Sequence, residues 1–421
     1  MKTQLILILT LGLCFLARPV RADDWPQWRG PQRDGTSKET GLLKEWPSGS
    51  PKLLWKTTDL GNGYSSFSVL GDHLYTLGNE TPDNEFVQAR SVNDGKRLWQ
   101  TRLGNVGTNP PPANYAAARS TPTVDGEYLY ALGSDGDLAS IKRADGKPRW
   151  HKNLRADFAG KPGPWAYAES PLIDGDALIC TPGGSEATLV ALNKNTSAIL
   201  WKCALPEADE AAFSSVILVS SGGTKQYVQL LTKGLVGIDA NSGKLLWRYA
   251  KPVSIYGANI PTPVAAHDYI YVASAGTGGG AVHVTVKDGK FAAEEAYFSA
   301  KNPTAIGGVI KLGDHLYGTT GSAMQCLKFT TGELLWEDRA LGPASICYAD
   351  NRLYLHGENG DVALVEPSSE GYRPKGRFTP PDQPPHTRGG MEKSWAYPVV
   401  ANGRLYVRDH ATLWCYDVRA K

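Results

Sequence analysis

Apolar and polar positions alternate along this chain in short bursts rather than over long stretches. A burst opens on small or polar residues, passes through a few apolar ones, breaks at a Gly, Asp or Asn turn, and resumes as "LY" or "IY". It recurs as "SSFSVLGDHLYTLG" (65–78), "STPTVDGEYLYALG" (120–133), "SPLIDGDALIC" (170–180) and "FSSVILVSSGGTKQYVQL" (213–230). It continues as "PTPVAAHDYIYVAS" (261–274), "IGGVIKLGDHLYGTT" (306–320), "ASICYADNRLYLHG" (344–357) and "YPVVANGRLYVRD" (397–409). That makes eight copies. Alternation broken by turn residues is the signal of short strands joined by hairpins.

A second element follows the first. "NDGKRLW", "ADGKPRW", "NTSAILW", "NSGKLLW" and "TTGELLW" end at Trp99, Trp150, Trp201, Trp247 and Trp336, and "PKLLW" stands alone at the front, ending at Trp55. Successive tryptophans lie 44, 51, 51, 46 and 89 residues apart. The last interval is a double one, bridged by a worn copy near Phe291, and another worn copy lies near Gly376–Phe378. Each unit reads as four strands. In the fourth they are predicted at 213–219, 226–231, 235–239 and 244–248. A repeat of this length with four strands is the mark of a propeller blade. The chain is therefore expected to be all-β: an eight-bladed β-propeller of four antiparallel strands per blade over residues 51–421. A parallel solenoid is the alternative, but it has no use for the lone front fragment. In a propeller, residues 51–57 supply the outer strand that the last blade (413–419) lacks, which closes the ring and removes a sheet edge. Trp55, Trp99, Trp150, Trp201, Trp247 and Trp336 then sit on outer strands. There an indole can pack on the next blade and donate its N–H to a backbone carbonyl, so the motif is explained without a ligand.

Composition agrees, with 46 Gly, 28 Pro, 12 Trp and 19 Tyr. Lys2, the apolar run Leu5–Leu16 and the small residues Val20 and Ala22 read as a signal peptide over residues 1–22, cleaved after Ala22. Lipidation at Cys14 is the alternative, against which Leu13 is bulky. The expected location is periplasmic or secreted. Cleavage removes three basic residues and no acid, taking the formal net charge from +2 to −1. Such a surface gives no reason to expect nucleic acid as a partner, and no other run is long and apolar enough for a membrane span. Five cysteines remain, Cys180, Cys203, Cys326, Cys347 and Cys415, without a C-x-x-C pair. They read as buried thiols, with one disulfide left open. No His pair has metal-ligand spacing: His73 and His315 sit in "GDHLY" turns and read as exposed turn residues, and His386 lies alone in a Pro-rich loop, so no metal site is predicted. "GTGGG" (276–280) lacks the context of a phosphate loop and is expected to be a hairpin loop.

The repeats resemble those of pyrroloquinoline-quinone-dependent dehydrogenases, whose tryptophan-docking motif A-x-D-x-x-T-G-K-x-x-W is matched by "GIDANSGKLLW" (237–247) and "SVNDGKRLW" (91–99). They are also similar to the repeats of the outer-membrane-assembly propeller lipoprotein, which carries no quinone. The opening "DDWPQWRGPQRDGTSKETGLLKEWPSGSPKLLW" (23–55) resembles secreted quinone-repeat propellers of planctomycete-type bacteria. The resemblance implies two functional classes. One is a binding or scaffolding module with a protein, small-molecule or carbohydrate ligand at the channel mouth, acting as a monomer. The other is an alcohol or sugar oxidoreductase using pyrroloquinoline quinone with calcium. Enzymes of the second class stack the quinone between a Trp and a disulfide of adjacent cysteines, hold Ca²⁺ with carboxylate and amide oxygens, and use an Asp base. This sequence has no adjacent cysteines, and no calcium-ligand or base residue aligns.

Loops from outer to inner strands share one face, and three are enlarged: 104–118, 153–168 and 367–393. The residues leading into the inner strands are the candidate ligand contacts: Tyr64, Tyr115, Arg119, Tyr167, Glu169, Tyr256, Asn259, Lys393 and Trp395. Tyr, Trp and Arg are enriched in binding pockets. Arg119 and Glu169 belong to consecutive blades and are expected to approach each other near the axis. The alternative is that these side chains plug the channel. Residues 23–50, with Trp25, Trp28 and Trp46, depart from the repeat and are expected to lie as an extended strap, indoles in grooves, with exposed binding tryptophans as the sharper reading.

Overall fold

The computed structural model describes residues 24–420 apart from 48, 108–116, 208, 255–256, 305, 340 and 385–392. The expected leader with Cys14, together with Tyr115, Tyr256 and His386, lies outside the described residues.

Small, β-branched and aromatic residues between Gly-bearing turns build eight four-stranded antiparallel sheets, so the chain is an eight-bladed β-propeller. In blade 1 the strands from axis to rim are Ser68–Leu70, His73–Asn79, Glu85–Ser91 and Arg97–Gly104. The two middle strands are almost wholly buried, whereas the outer one is largely exposed. Helix among the described residues is confined to the short segment Leu154–Phe158. Blade 4 comprises Ile217–Ser221, Thr224–Leu231, Gly234–Asp239 and Leu245–Tyr249. Its inner strand starts four residues later than predicted, because the stretch from Phe213 leads in along the channel mouth before pairing begins. "GTGGG" is only partly a loop: Gly278–Lys287 is already strand. There a Cβ on Gly279 would meet the Tyr271 hydroxyl at 2.3 Å. His73 and His315 open second strands half-buried, beside Tyr75 and Tyr317, rather than standing free in turns.

Blade 8 takes its outer strand from the front of the chain. Lys52–Thr57 pairs antiparallel with Thr412–Asp417, Lys52 opposite Asp417 and Thr57 opposite Leu413. At this closing seam Arg408 of blade 8 reaches into blade 1. Its Nη1 donates to the carbonyls of Ser65 (3.0 Å) and Leu77 (2.7 Å), and its Nη2 to Gly61 (3.1 Å). Burial lowers its pKa to about 9. Apolar clusters fill the seams between blades. Leu77, Val87 and Ala89, for example, meet Val124, Leu129, Ala131 and Ile141 of the next sheet. Each fully buried aliphatic side chain of this kind contributes about 1.5–3 kcal/mol.

The tryptophan's aim comes from a feature the sequence did not announce. In every blade the pairing of third and fourth strands slips by one residue just before the docking position. Leu98, Arg149, Leu200 and Leu335 are the skipped residues before Trp99, Trp150, Trp201 and Trp336. A β-bulge turns the strand and re-aims the next side chain. Here it sends the indole onto the neighbouring sheet. Trp55, Trp99, Trp150, Trp201 and Trp336 donate to the carbonyls of Val92, Arg143, Lys194, Ala240 and Ser368, at 3.0, 2.9, 2.9, 3.2 and 2.8 Å. Gly243 shows why the turn carries glycine: φ is +70°, and a Cβ would strike the Trp201 ring at 2.6 Å.

Three seams depart from this scheme. Trp247, in the closest motif match, does not dock on the next blade through its N–H. It lies over Gly237 of its own sheet, where a Cβ would meet the ring at 2.2 Å, and donates to the Gln226 side chain at 2.7 Å. The reason lies in blade 5, whose outer pair (Gly278–Lys287 and Lys290–Ser299) is the longest in the ring. Its turn residue Gly289 stands in open space and offers no seat for an indole. In blade 5 itself Tyr297 replaces the Trp, its hydroxyl bonding Phe329 O at 2.8 Å. Blade 7 has no aromatic residue at Gly376. Trp46 arrives from outside the repeat and packs there, against Phe378 and Tyr354. The five cysteines among the described residues are buried and free.

Candidate functional site

Residues 24–36 do not form an extended strap. They turn tightly at Gln27–Gly30 and Gly30–Arg33 and enter the channel. Trp25 pairs with Val69 of blade 1, and Pro26 accepts from the Val124 amide of blade 2. Trp28 donates to Thr262 Oγ1 of blade 5 at 2.9 Å. Arg29 donates to Val309 O of blade 6 at 2.5 Å, and Gly35 accepts from the Tyr348 amide of blade 7. Arg33 binds the carbonyls of Ser170 (3.1 Å), Val216 (2.9 Å) and Pro171. The segment thus fills the channel by satisfying inner-strand carbonyls from many blades at once. Residues 42–46 then run along blades 7 and 8, where Leu42 pairs with Arg419.

Above this plug the channel mouth opens as a cup of about 320 Å³. Trp28 lies in its floor, edge-on to Tyr397 at 4.5 Å between centroids. Tyr64, Trp165, Phe213 and Trp395 stand in the wall. Ile260 and Ile306 add aliphatic surface, and Ala168, Ala258 and Ala275 leave the space open. The rings hold one another: Tyr64 lies 5.1 Å from Trp395 and 5.2 Å from His410, and Trp165 lies 5.7 Å from Phe213. The Tyr397 hydroxyl donates to Ile306 O at 2.6 Å, and burial raises its pKa to about 12. Arg119 is the one charged side chain among the described lining residues. Its Nη1 donates to Ala117 O at 3.0 Å, and desolvation depresses its pKa, opposed by Tyr64 and Glu85.

Of the candidates named from sequence, Tyr64, Arg119 and Trp395 line this cup. The others that are described have structural partners. The Tyr167 hydroxyl donates to Pro182 O at 2.8 Å in a buried cluster. Asn259 bridges Leu231 O (2.7 Å), the Ser254 amide (2.9 Å) and Ser274 Oγ (2.7 Å). Lys393 pairs with Glu358 at 2.5 Å. Glu169 does not meet Arg119 as expected. Its carboxylate accepts from Thr181 Oγ1 (2.7 Å), from Gln229 Nε2 (3.0 Å) and from the Thr181 amide. The charge facing it is Arg33 of the plug. Burial holds Glu169 up at about 7 against Thr181 and Arg33, and burial lowers Arg33 to about 9 against Glu169. Arg33 of the plug thus takes the place expected for Arg119 of the neighbouring blade. Arg119 feels a different carboxylate, Glu85, also raised to about 7 by burial, which accepts from the Ser134 amide (2.7 Å) and hydroxyl (2.6 Å).

Sequence reasoning missed Trp165, Phe213 and Tyr397, and named Trp28 only as one of three strap tryptophans. Trp165 and Phe213 precede inner strands just as Tyr64 does, so aromatic residues at that register were the available signal. The place of Trp28 at the axis gave no signal, because nothing in the repeat says that the residues before it return there.

The residues present do not fit calcium-held quinone. Ca²⁺ takes about six to eight oxygen ligands, but the described lining residues offer no carboxylate and no side-chain amide. Among the described residues no group of three His, Cys, Asp or Glu is placed to hold a metal.

Blade count, seam chemistry and closure define a quinoprotein-like propeller. A family described as outer membrane protein assembly factor BamB matches residues 37–186, 83–320 and 165–371, and the chain belongs to that family. The BamB of Yersinia pestis is 23% identical over 240 residues, covering 53% of this chain and 55% of its own length. Matched curated relatives are thus spanned over 19% and 55% of their lengths. The crystal structure of BamB from Moraxella catarrhalis superposes with a TM-score of 0.60 at 15% identity, over 87% of this chain and 99% of that one. Quinohemoprotein alcohol dehydrogenase from Comamonas testosteroni gives 0.52 at 12% identity, over 96% of this chain and 82% of that one. At such identities the structural likeness speaks to the fold alone.

Proposed function

We propose that this protein is a binding module of the cell envelope, exported by its leader, whose working face is the channel mouth. The observation that carries this reading is the blind cup. A channel filled only for stability needs no cavity at its end, whereas this one stops at Trp28 and leaves an open space walled by fixed aromatic rings. Membership of a family named for outer membrane protein assembly supports a binding rather than a catalytic role, with a partner on the envelope side. No helix among the described residues is long and apolar enough to cross a membrane.

The test is site-specific photo-cross-linking in the producing cell. A photoreactive residue at position 395 is expected to trap a partner. The same residue at position 200, on an outer strand, is not. The adduct at 395 should vanish when Ala258→Trp fills the cup. Equal trapping at both positions, or trapping indifferent to the filled cup, overturns the reading.

A further inference from the structure

We infer that the cup takes a small, flat aromatic molecule carrying a single anionic group; this rests on the mouth being the working face. The size and lining argue for an apolar ligand of modest dimensions, since pockets of this kind are largely apolar with a few placed polar groups. The walls are rings rather than flexible chains. Trp28 is fixed by Thr262 and Tyr397, and Tyr397 by Ile306. A preformed aromatic slot lowers the ordering cost of binding and favours a partner that stacks flat or edge-on. A sugar is disfavoured, because the lining lacks the carboxylates and amides that satisfy hydroxyl groups.

The anionic group follows from two arginines. Arg119 stands in the wall, in surroundings dry enough to depress its pKa. A guanidinium stays charged there, and its forked N–H groups suit a carboxylate or sulfonate. Arg29 lies beneath Tyr397, 5.6 Å from the ring centroid, and is only 2% exposed. Its Nη2 is spent on Asp34 O and Val309 O, and the guanidinium also leans on the Tyr397 hydroxyl, which leaves Nε and Nη1 short of a well-formed acceptor, and no carboxylate pairs with it among the described residues. A buried cation without a counter-charge is costly. An anion held in the cup above it lowers that cost. Arg33 already faces Glu169 and Arg119 feels Glu85, so the charge with no carboxylate of its own is that of Arg29.

Anilinonaphthalene sulfonate has this chemistry, and phenylnaphthylamine is the same ring system without the sulfonate. Titration into the purified protein, followed by probe emission and tryptophan quenching, is expected to show one sulfonate probe bound per chain. Ala258→Trp and, independently, Ala275→Trp fill the cup and should abolish binding of both probes without lowering the melting temperature. Arg119→Gln should weaken the sulfonate about tenfold and leave the neutral probe within about twofold. Sulfonate binding that survives both filling variants places the probe elsewhere and overturns the proposal. Equal binding of the two probes, or equal loss of both in Arg119→Gln, overturns the anionic requirement. Failure of both probes while position 395 still traps a partner sinks this ligand class and leaves the working face standing. Probe binding without trapping does the reverse.

Discussion

Trp201 and Trp28 each spend one indole N–H on another blade, yet they belong to different kinds of structure. Trp201 sits at the rim, aimed by a bulge and seated on a turn glycine, in an arrangement that recurs at most seams. Trp28 sits at the axis, on a segment outside the repeat, with Thr262 and Tyr397 as its partners. The rim is one solution copied around the ring. The axis is a set of single solutions, each bonded to its own carbonyl or ring. Stability shared among equivalent seams tolerates wear, as Tyr297 and Trp46 show by standing in for lost copies. A unique contact has no substitute, and the cup at the channel mouth is built from unique contacts.

The comparison can be broken where the rim is itself unique, at its closure. Removing residues 52–57 strips blade 8 of its outer strand, bares the strand Thr412–Asp417 as an edge and takes Trp55 from its seat on Val92. Calorimetry should show a loss of more than about 10 °C or no cooperative transition. An unchanged melting temperature would mean that the ring is held by the plug instead.

Within the intact ring, the axis should cost more to damage than a repeated seam. Arg33→Ala takes this donor from the Ser170 and Val216 carbonyls, leaves Pro171 O with Thr123 Oγ1 alone and leaves the Glu169 charge uncompensated, and should cost about 3–5 kcal/mol. Trp201→Phe loses one hydrogen bond, to Ala240, and should cost about 1 kcal/mol. Urea unfolding of both variants decides the order, and its reversal would dissolve the distinction between copied and single contacts.

A smaller effect sharpens the same contrast through pH. Burial holds the Glu85 carboxyl at about 7, above its ordinary 4.5. Between those values the folded protein keeps a proton that the unfolded chain has released. Glu85 therefore withdraws stability as pH rises from about 4.5 to about 7, with nothing further lost above. Glu85→Gln retains an acceptor oxygen for both Ser134 bonds and has no proton to release. It should stabilise by up to about 3 kcal/mol at pH 8 and leave stability at pH 4 unchanged. A variant whose gain is the same at both pH values would show that titration is not the cause.

The smallest expected effect concerns the cofactor of the structurally similar dehydrogenases. Pyrroloquinoline quinone with Ca²⁺ should move the melting temperature by less than about 1 °C, because tight binding to the native state must raise it. A larger rise would mean that calcium ligands come from outside the described lining.

What could be read in the chain follows this division. The turn, the Trp and the "LY" strand repeat because every blade faces the same packing problem, so local pattern was enough for eight blades and for closure by residues 51–57, of which Lys52–Thr57 form the strand. The outer-strand bulge was not legible: it adds one residue whose type varies from leucine to arginine, alanine and lysine, and only the pairing register reveals it. The mouth was half legible. Tyr64, Arg119 and Trp395 could be named because they stand at a fixed place in the repeat. Tyr167 and Asn259 stand near the same place but turn into packed hydrogen-bonded positions, a choice made by their neighbours.

By itself, then, the sequence determined the repeating part of this protein: strand order, blade number, and the rim contact at the five seams that keep the docking tryptophan, since these follow from a pattern repeated along the chain. Tertiary structure alone decided the axis. Arg33 faces Glu169 across 136 residues, and Trp28 meets Thr262 across 234. Contacts over such separations leave no local pattern, because the partners share nothing in sequence and are brought together only when the ring closes around the segment that fills it.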